Sequence, residues 1–523
     1  MPLRTRAASG RRGCEMIESR TRAAIAWEGA IPIRMTLGDL LVRWKLITVE
    51  QMNQALELQA AQGGRFGDHL VSTGAITREA LDAFIHRTPP EPDTLEATGI
   101  DPNELVALLM KLIYVGRLES GRQFADAIKL PFHLVVDLVH IATDRKLIYA
   151  RGVRQDNTSD MNYGFTEEGR RYVSDALQRS QYAGPAPVTL EDFSDRVNLQ
   201  KITNEVITLE QVRQSVHDLA MEESLMEQCG PALNAGRAML FYGPPGNGKT
   251  TFAHRLASVF TNLVHIPYAV MVEGQIIRMF DPSVHIPIAA KPSENDGPSF
   301  LRREVSDARW VPCKRPFVSV GGELTLEMLD LRYDPLSNFY EAPLHMKALG
   351  GCFVIDDFGR QLLSPATLLN RWIVPLENGI DYLKLHTGKS FCIPFDELVV
   401  FSTNLEPEDL MDTAFLRRLP YKIEIGAPSV EMYKRIFMRE CTLYGLTLTD
   451  DIFDQVLHKV REEKKLTLAA YQPKFIIDQV VASCRFIGEH PHFERRFINY
   501  AIDNLRVRRN APPLPPVEHA RPA

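Results

Sequence analysis

Hydrophobic residues recur at two different spacings along the 523 residues of this chain. From Met35 to Thr88, and again from Asn103 to Gln178, apolar residues recur every three or four positions, which predicts amphipathic helices. Farther along, short continuous apolar runs occupy 238–242, 352–355 and 398–401. Such runs are typical of strands that are buried on both faces in a parallel sheet. The pattern therefore predicts small, mainly helical N-terminal domains followed by an α/β domain.

The segment from Met35 to Thr88 contains a weak internal repeat. One copy begins with the letters LGDLL at residue 37 and the other with FGDHL at residue 66, and residues 60–64 separate the two copies. Each copy predicts a short helix, a turn and a second helix, whose first turn can be capped by Thr48 or Thr77. The segment is therefore expected to be a small helical domain.

This repeat resembles the MshEN-type N-terminal domain of type II secretion and type IV pilus ATPases. In that family two motifs of the form R-L-G-x-x-L-x-x-x-G, joined by a short spacer, can bind cyclic di-GMP. The second copy keeps the motif residues Arg65, Gly67, Leu70 and Gly74. The first copy has Thr36 and Lys45 at the arginine and final glycine positions, and Thr88 replaces a closing glutamine in the second. The resemblance implies the fold of residues 35–88, and leaves cyclic di-GMP binding and protein docking as alternatives.

Residues 103–178 are predicted to form three helices, a two-stranded hairpin and a fourth helix, an order that resembles a winged helix-turn-helix domain. Most domains of this kind bind DNA through the third helix. Here that helix offers His133, Asp137 and His140 before any basic residue appears at its far end. Because groove-reading helices normally present Arg, Lys, Asn or Gln, docking to a protein is favoured over DNA binding.

Residues 243–250 form a complete phosphate-binding loop of the form G-x-x-x-x-G-K-[ST]. The apolar run 238–242 before it predicts a strand, and residues 251–257 predict the first turns of a helix. In this context the backbone N–H groups and the helix N-terminus face phosphate oxygens. Lys249 is expected to contact the β- and γ-phosphates and Thr250 to ligate Mg²⁺. The candidate nucleotide-binding residues of this segment are Gly243, Pro244, Pro245, Gly246, Asn247, Gly248, Lys249, Thr250 and Thr251.

Composition narrows the classes of function. The formal net charge of −6 gives no global basic field for nucleic acid, and 45% hydrophobic with 24% charged residues is typical of a soluble globular protein. No apolar run is long enough to span a bilayer. Seven scattered cysteines without C-x-x-C spacing support neither a zinc nor a redox motif, so a cytoplasmic location is expected. The arginine-rich residues 1–34 predict disorder, or a start codon upstream of Met35, in preference to a transit peptide or a nucleic-acid arm.

From about Gln200 to Arg508 the chain resembles an AAA+ ATPase. After the phosphate loop, the apolar run 352–355 is followed by Asp356 and Asp357. The resemblance implies that Asp356 helps to hold Mg²⁺ and that Asp357 is the base that orients the attacking water. Most relatives have glutamate at the second position. Because aspartate is one methylene shorter, slow hydrolysis is one expectation for this chain.

Further elements of the family follow in the expected order. Asn404 matches the sensor-1 residue, which holds water near the γ-phosphate. Arg417 and Arg418 match the arginine-finger segment, in which an arginine reaches the nucleotide of a neighbouring subunit. Lys474 stands at the sensor-2 position of a helical lid that begins after Pro428, where most relatives have arginine. The resemblance does not choose between the two finger arginines.

Three other segments are interpreted through the same resemblance. Val206-Ile207 lie where relatives contact adenine. The alternation at 381–391 predicts a β-hairpin similar to the pre-sensor-1 hairpin of the clade that contains MoxR-like and enhancer-binding ATPases. The long stretch 266–345 carries a pore or substrate loop, or only fills the surface, and the sequence leaves both open.

The predicted fold class is α/β, a P-loop NTPase parallel sheet with a helical lid, preceded by small mainly helical domains. Proline-rich or acidic linkers are predicted at 89–101 and 181–193. The predicted domains are a disordered segment at 1–34, an MshEN-like domain at 35–88, a winged-helix domain at 101–180, a nucleotide-binding core at 200–425, a lid at 426–508 and a disordered tail at 509–523.

The resemblance implies a machine that binds ATP with Mg²⁺ and hydrolyses it to remodel a protein client. Because arginine fingers act across subunits, it also implies a ring of identical subunits, with six subunits expected. Two alternatives stay open. One is an ATP-dependent regulator whose winged helix binds DNA, and the other is a nucleotide switch that binds ATP without hydrolysing it.

Overall fold

The computed structural model describes residues 37–43, 45–63, 65–85, 88–153, 161–288, 306–410 and 413–505. The predictions for residues 1–34 and 509–523 lie outside these ranges. The chain forms two compact units. The first comprises the residues up to Leu81 together with Asp381–Pro394, and the second comprises Asp82–Ile380 and the chain from Phe395 onward.

The helices of the internal repeat lie in the first unit, except that the last one continues from Asp82 into the second. Their bounds are α1 Leu37–Arg43, α2 Val49–Gln62, α3 Phe66–Ser72 and α4 Arg78–Ile85. Both predicted caps are confirmed. Thr48 Oγ1 accepts from Gln51 N at 3.3 Å while the Gln51 side chain accepts from Thr48 N at 2.8 Å, and Thr77 Oγ1 accepts from Ala80 N at 3.2 Å. These bonds satisfy backbone donors that the first helical turn leaves without intrahelical partners.

The second unit begins with four helices and a hairpin in the predicted order. Their bounds are α5 Pro102–Gly116, α6 Gly121–Ile128, α7 Phe132–Asp144, β1 Ile148–Val153, β2 Met161–Phe165 and α8 Glu167–Arg179. Asp101 caps α5 and Thr166 caps α8 through bonds of 2.7 and 2.9 Å to backbone N–H groups. Residues 102–179 are called the helix–hairpin domain below.

The rest of the second unit, up to the lid, alternates strands and helices. Within this stretch, residues Asp381–Pro394, which form most of a hairpin, belong to the first unit. In chain order the elements are β3 Val188–Thr189, α9 Leu190–Leu199, α10 Leu209–Ser215, α11 Glu223–Ala235, β4 Met239–Tyr242, α12 Lys249–Ala257, β5 Val264–Pro267, β6 Ala269–Val272, β7 Gln275–Arg278, β8 Trp310–Cys313, β9 Phe317–Val320, β10 Arg332–Asp334, β11 Phe339–Glu341, α13 Leu344–Lys347, β12 Cys352–Ile355, α14 Pro365–Asn378, β13 Ile380–Lys384, β14 Ser390–Pro394, β15 Leu398–Ser402, α15 Pro407–Leu410, α16 Thr413–Leu416 and β16 Tyr421–Glu424.

A five-stranded parallel sheet forms the centre of the α/β fold. Its strand order is β16-β4-β15-β12-β9, and every neighbouring pair is parallel. The apolar runs that predicted strands are β4, β12 and β15, and these are the three central strands. Residues of β12 and β15 are almost fully buried because helices cover both faces, as parallel sheets require. The carboxyl ends of the three strands meet at one edge of the sheet.

A second sheet, called the inserted sheet below, takes four of its five strands from the chain between β4 and β12 and its edge strand β3 from before β4. Its order is β10-β11-β7-β6-β3, and it mixes parallel and antiparallel pairs. Apolar side chains of this inserted sheet, among them Met271, Ile276 and Phe339, pack against the core of the helix–hairpin domain. The stretch 266–345, whose role the sequence left open, therefore supplies a platform on which the helix–hairpin domain is docked.

The two predicted linkers are packed against other parts of the second unit. Residues 96–98 form a 3₁₀ turn, and 188–199 form β3 and α9. Buried Arg309 pairs with Asp307 at 2.8 Å and also donates to Thr98 O and Pro187 O at 3.3 and 3.2 Å. Buried backbone carbonyls need donors, and this guanidinium supplies one to each segment. Linker-like composition did not reveal the distant arginine.

The C-terminal part of the described chain is helical, as predicted for the lid. Its elements are α17 Val430–Leu443, α18 Asp450–His458, a π-helical turn Lys459–Glu463, α19 Tyr471–Phe486 and α20 Arg495–Asn504. A core that includes Tyr433, Phe437, Phe453 and Ile477 holds these helices together.

Candidate nucleotide-binding site

The phosphate loop joins β4 to α12, as the sequence predicted, and its glycines have positive φ. The values are 131° at Gly243, 80° at Gly246 and 83° at Gly248. A Cβ atom at Gly243 would lie 2.6 Å from Ile425 O, so the loop leaves no space for a side chain there. Gly248 directly precedes the first turn of α12, whose N–H groups lack intrahelical acceptors. The loop and helix together form a site suited to phosphate.

Lys249 lies within the loop and is only 6% exposed. Its Nζ donates to Gly243 O and Pro244 O, both at 2.9 Å, and to Asn404 Oδ1 at 2.7 Å. Burial lowers the pKa of Lys249, while the charges of Asp356 and Asp357 oppose that shift. The lysine is thus held between the phosphate loop and the end of β15, where a phosphate oxygen can replace one of its acceptors.

The acids that follow β12 lie beside the loop. Thr250 Oγ1 donates to Asp356 Oδ2 at 2.8 Å, and Asn404 Nδ2 donates to Asp357 Oδ1 at 3.1 Å. Asp357 is exposed and has φ 47°, a left-handed conformation that is uncommon outside glycine and is found at functional sites. The structure therefore brings five of the predicted site residues together at the carboxyl edge of the central sheet.

Hydroxyl and carboxylate oxygens at this edge fit Mg²⁺. The Thr250 hydroxyl and the Asp356 carboxylate are hard oxygen donors, and Mg²⁺ is usually held by one or two such ligands together with substrate phosphates. In the described ranges no group of three or more His, Cys, Asp or Glu side chains could hold a metal ion.

A cavity of about 510 Å³ surrounds these side chains. Its walls come from the phosphate loop, the acids, the loop before α11 and the lid helices. They include every predicted loop residue from Pro245 to Thr251, the two acids, Asn404 and Lys474. Other residues of the wall were not singled out by the sequence, among them Met221, Arg439, Glu440 and Tyr471.

A second cavity of about 300 Å³ shares residues with the first, and its wall includes the apolar side chains of Met221, Leu225, Met432 and Ile436. Apolar side chains of this kind can pack against a planar base. Val206 and Ile207 line neither cavity. Val206 is 58% exposed, and the Ile207 backbone is bonded to Asn234. The adenine contact of these two residues stays a prediction.

The lid contacts the phosphate loop directly. Ala470 N donates to Asn247 Oδ1 at 3.1 Å, and Tyr471 N donates to Gly246 O at 2.9 Å. Lys474 follows one turn later, lines the cavity, and pairs with Asp478 at 2.8 Å. This pair raises the pKa of Lys474. Because both groups are largely exposed, Lys474 can exchange its partner for a phosphate oxygen.

Arg439 on α17 is a cation of the cavity that the sequence did not reveal. It donates to Asp218 O, and its Nη2 donates to Glu440 Oε1 at 2.8 Å. The Asp218 carboxylate in turn pairs with Arg255 of α12. These bonds connect the lid, the loop before α11 and the phosphate-loop helix. No motif marks Arg439, since its place in the wall depends on how the lid folds back.

The two candidate finger arginines lie away from the cavity. Arg418 pairs with Glu377 at 2.6 Å, whereas Arg417 is exposed. Neither lines the cavity of the same chain. This placement is compatible with action on a neighbouring subunit, and it distinguishes the two residues, which the sequence did not.

Searches against known proteins give three findings. Residues 429–504 match a family described as a domain of unknown function (DUF8689). The type IV pilus assembly ATPase PilB of Myxococcus xanthus is 47% identical over 51 residues, which is 10% of this chain and 9% of that protein, so the match spans about a tenth of either. The RuvB Holliday junction branch migration motor of Thermotoga maritima is 14% identical over 58% of this chain and 74% of its own, with a TM-score of 0.30. A RuvB mutant from the same organism is 13% identical over 58% and 72%, with a TM-score of 0.31. Within the described residues no helix is long and apolar enough to cross a membrane.

Proposed function

We propose that this chain is an ATPase of the AAA+ class that binds ATP with Mg²⁺ and hydrolyses it. The observation that carries the proposal is a set of three hydrogen bonds at one sheet edge: Thr250 with Asp356, Asn404 with Lys249, and Asn404 with Asp357. Phosphate binding, metal binding and water activation need these residue types close together. A phosphate loop without the acids and the amide would support binding alone.

Each residue then has a defined task. The N–H groups of the loop and of α12 bind the phosphates, and Lys249 exchanges one of its oxygen acceptors for a phosphate oxygen. Thr250 and Asp356 hold Mg²⁺, which supplies charge neutralisation for the phosphates when it is bound. Lys474 and Arg439 lie on the lid side of the same cavity. The second cavity, whose wall includes Met221 and Met432, receives the base.

Asp357 acts on the attacking water. Its carboxylate accepts a hydrogen bond from Asn404 Nδ2, which fixes the orientation of one oxygen and leaves the other to accept a proton from water. The side chain is shorter than the glutamate of the family, but the left-handed backbone at φ 47° re-aims it. We propose slow but real turnover for this reason.

The ring assembly rests on Arg417. Because Arg418 pairs with Glu377 of the same chain and Arg417 is exposed, we propose Arg417 as the arginine that reaches a neighbour's γ-phosphate. A planar guanidinium suits charge spread over phosphate oxygens. We propose a homo-oligomeric ring, with six subunits by resemblance to the family.

The client and setting follow from the N-terminal domains. Both the internal repeat and the short similarity to a pilus assembly ATPase suggest a role near pilus or secretion machinery. In the helix–hairpin domain, the exposed residues of α7 include His133, Asp137 and His140, so we propose protein docking there and not DNA binding. Cyclic di-GMP binding by the repeat is a secondary proposal. All six cysteines that the structure describes are free, in keeping with a cytoplasmic setting.

The test is steady-state ATP turnover across a range of protein concentrations, with Lys249→Ala as the matched variant. Specific activity that rises with concentration and is lost in the variant is expected for a ring with fingers in trans. Turnover that is independent of concentration contradicts the ring. Tight ATP binding without turnover contradicts hydrolysis and leaves the second candidate, a nucleotide switch, which the short acid at Asp357 favours. Salt-dependent binding of duplex DNA is the result expected of the remaining alternative.

A further inference from the structure

A cavity of about 310 Å³ lies between the helix–hairpin domain and the inserted sheet, and it shares no lining residue with the nucleotide cavity. Helices α5 and α8 form one side of it. The turn between β6 and β7 and the turn between β10 and β11 form the other. Charged, polar and apolar side chains line the cavity, among them Glu104, Leu108, Lys111, Arg179, Gln275 and Ile276.

Lys111 is the main feature of this cavity. Helix α5 buries nine successive residues, from Leu105 to Ile113, and Lys111 is the charged one among them. Its side chain lines the cavity, and the residue is only 5% exposed. Nζ donates to Ser180 O at 3.0 Å. An ammonium group has three donors, and within the described ranges the other two have no hydrogen-bond acceptor. A buried cation with unmet donors calls for an anion.

The rest of the wall agrees with this requirement. Arg179 adds a second cation, the Gln275 amide adds two donors, and Glu104 is the acid of the lining. Asn338 is already satisfied, since it donates to Gln178 O and accepts from the Tyr333 hydroxyl. The charged side chains of the lining therefore sum to one positive charge, and its donors outnumber its acceptors.

Apolar side chains complete the cavity. Leu108 of α5 and Ile276 of β7 face it from opposite sides. Its volume corresponds to about ten water molecules at ~30 Å³ each, which is enough for a compact molecule and too small for a folded segment. The lining thus combines an anion site with an apolar wall, the usual composition of a small-molecule site.

We propose that this cavity binds a small aliphatic carboxylate, whose anionic group is held by Lys111 and Arg179. The aliphatic part lies against Leu108 and Ile276. Because the ligand touches both the helix–hairpin domain and the inserted sheet, its binding stabilises the docked arrangement of the two. The site is separate from the nucleotide cavity, so the proposal does not depend on ATP hydrolysis.

The protonation of Lys111 gives the site a pH dependence. Burial lowers the pKa of Lys111 to about 8; Glu104 opposes this shift and Arg179 adds to it. From the inserted sheet, the lining groups Gln275 and Asn338 carry no charge. A bound anion favours the charged form of the lysine. Affinity is therefore highest below pH 8, falls as the pH rises through that value, and binding near pH 8 takes up protons.

The test is isothermal titration calorimetry of the full chain with sodium hexanoate as the probe, at pH 7 and at pH 9. Hexylammonium chloride of the same length controls for apolar binding, and acetate controls for charge alone. We expect saturable binding of hexanoate, weaker binding at pH 9, and no binding of hexylammonium. Absence of hexanoate binding at about 10 mM overturns the proposal, and equal affinity for acetate overturns the aliphatic part of it.

Variants separate ligand binding from folding. Lys111→Met keeps length and apolar packing while removing the buried charge, so it is expected to remain folded, with an unfolding temperature no lower than that of the parent. It should weaken hexanoate binding at least about tenfold. Arg179→Gln should weaken binding too, whereas Arg170→Gln, an exposed arginine on the same helix, should not. Unchanged binding in both Lys111→Met and Arg179→Gln overturns the site.

Discussion

Asn404 is the residue whose replacement tests the proposed chemistry most directly. Its side chain accepts a hydrogen bond from Lys249 and donates one to Asp357. Asn404→Asp keeps the size and the oxygen that faces Lys249, but it puts an oxygen where the donor to Asp357 was. The change therefore removes one specific hydrogen bond and leaves phosphate binding in place.

The expected effect can be worked from the geometry. A hydrogen bond to a charged group contributes about 1.5–3 kcal/mol, and the exposure of Asp357 favours the lower end of that range. Two like charges at the 3.1 Å separation of the present bond repel by about 1 kcal/mol in water and about 5 kcal/mol at an effective dielectric constant of 20. Taking about 1.5 and 1 kcal/mol gives about 2.5 kcal/mol. That is a loss of about 60- to 100-fold in kcat.

The assay is ATP turnover between pH 5 and pH 9, together with ATP affinity measured by equilibrium binding. In the variant the two carboxyl groups share a site, so the pair gives up its last proton at a higher pH than a lone carboxyl group does. The base form of Asp357 is then lost as the pH falls, and kcat should decline on the acid side earlier than in the parent. ATP affinity should change little, since Lys249 keeps its oxygen partner.

Asn404→Ala is the matched control, because it removes both hydrogen bonds without adding charge. It should lower kcat by an amount nearer the lost hydrogen bond alone, about tenfold, with no new acid limb. Parent-like kcat in Asn404→Asp at every pH would refute the reasoning, since the contact with Asp357 would then have no part in the reaction. A loss of ATP affinity with unchanged kcat would assign Asn404 to binding only.

Three further changes test other parts of the structure. Arg417→Ala should abolish the rise of specific activity with protein concentration while ATP affinity stays constant, whereas Arg418→Ala should leave that rise in place and cost under about 1 kcal/mol in unfolding free energy. Arg309→Ala should lower the unfolding free energy measured in urea by about 3–5 kcal/mol, because it leaves a buried carboxylate without its cation and two buried carbonyls without their guanidinium donor. Asp478→Asn should tighten ATP binding by about twofold or less, because an exposed pair one helical turn apart contributes about 0.3–0.5 kcal/mol. An affinity that falls in Asp478→Asn would show that the pair positions Lys474 and does not compete for it.

The parts of the site that could be predicted from sequence lie in contiguous segments. The phosphate loop, the acids after β12 and the amide after β15 each follow a buried apolar run, and parallel strands bring such ends to one edge. These segments can be far apart along the chain, because the parallel sheet brings the carboxyl ends of its strands together. The three central strands and the residues Lys249, Asp356, Asp357 and Asn404 were predictable for this reason.

The parts that could not be predicted depend on contacts between distant segments. Whether Arg417 or Arg418 is available depends on Glu377, forty residues away on α14. Residues 89–101 look like a linker until Arg309 is placed against Thr98. In both cases the residue that determines the contact, Glu377 or Arg309, does not belong to a recognisable sequence motif.

The connection between the two sheets suggests how docking at one end of this unit reaches the acids at the other. Strand β11 of the inserted sheet is followed by residues 342–351, which include only the short helix α13, and then by β12, which ends at Asp356. Lys347 in this connection is 10% exposed in its side chain and pairs with Asp281 at 2.8 Å and with Glu341 at 3.5 Å. The helix–hairpin domain is itself bonded to the turn after β10, because Asn338 Nδ2 donates to Gln178 O at 2.8 Å. The helix–hairpin domain is therefore connected to β12, the strand that carries the acids, through the inserted sheet and the short segment 342–351. A displacement of that domain is expected to reach the acids through these packed residues.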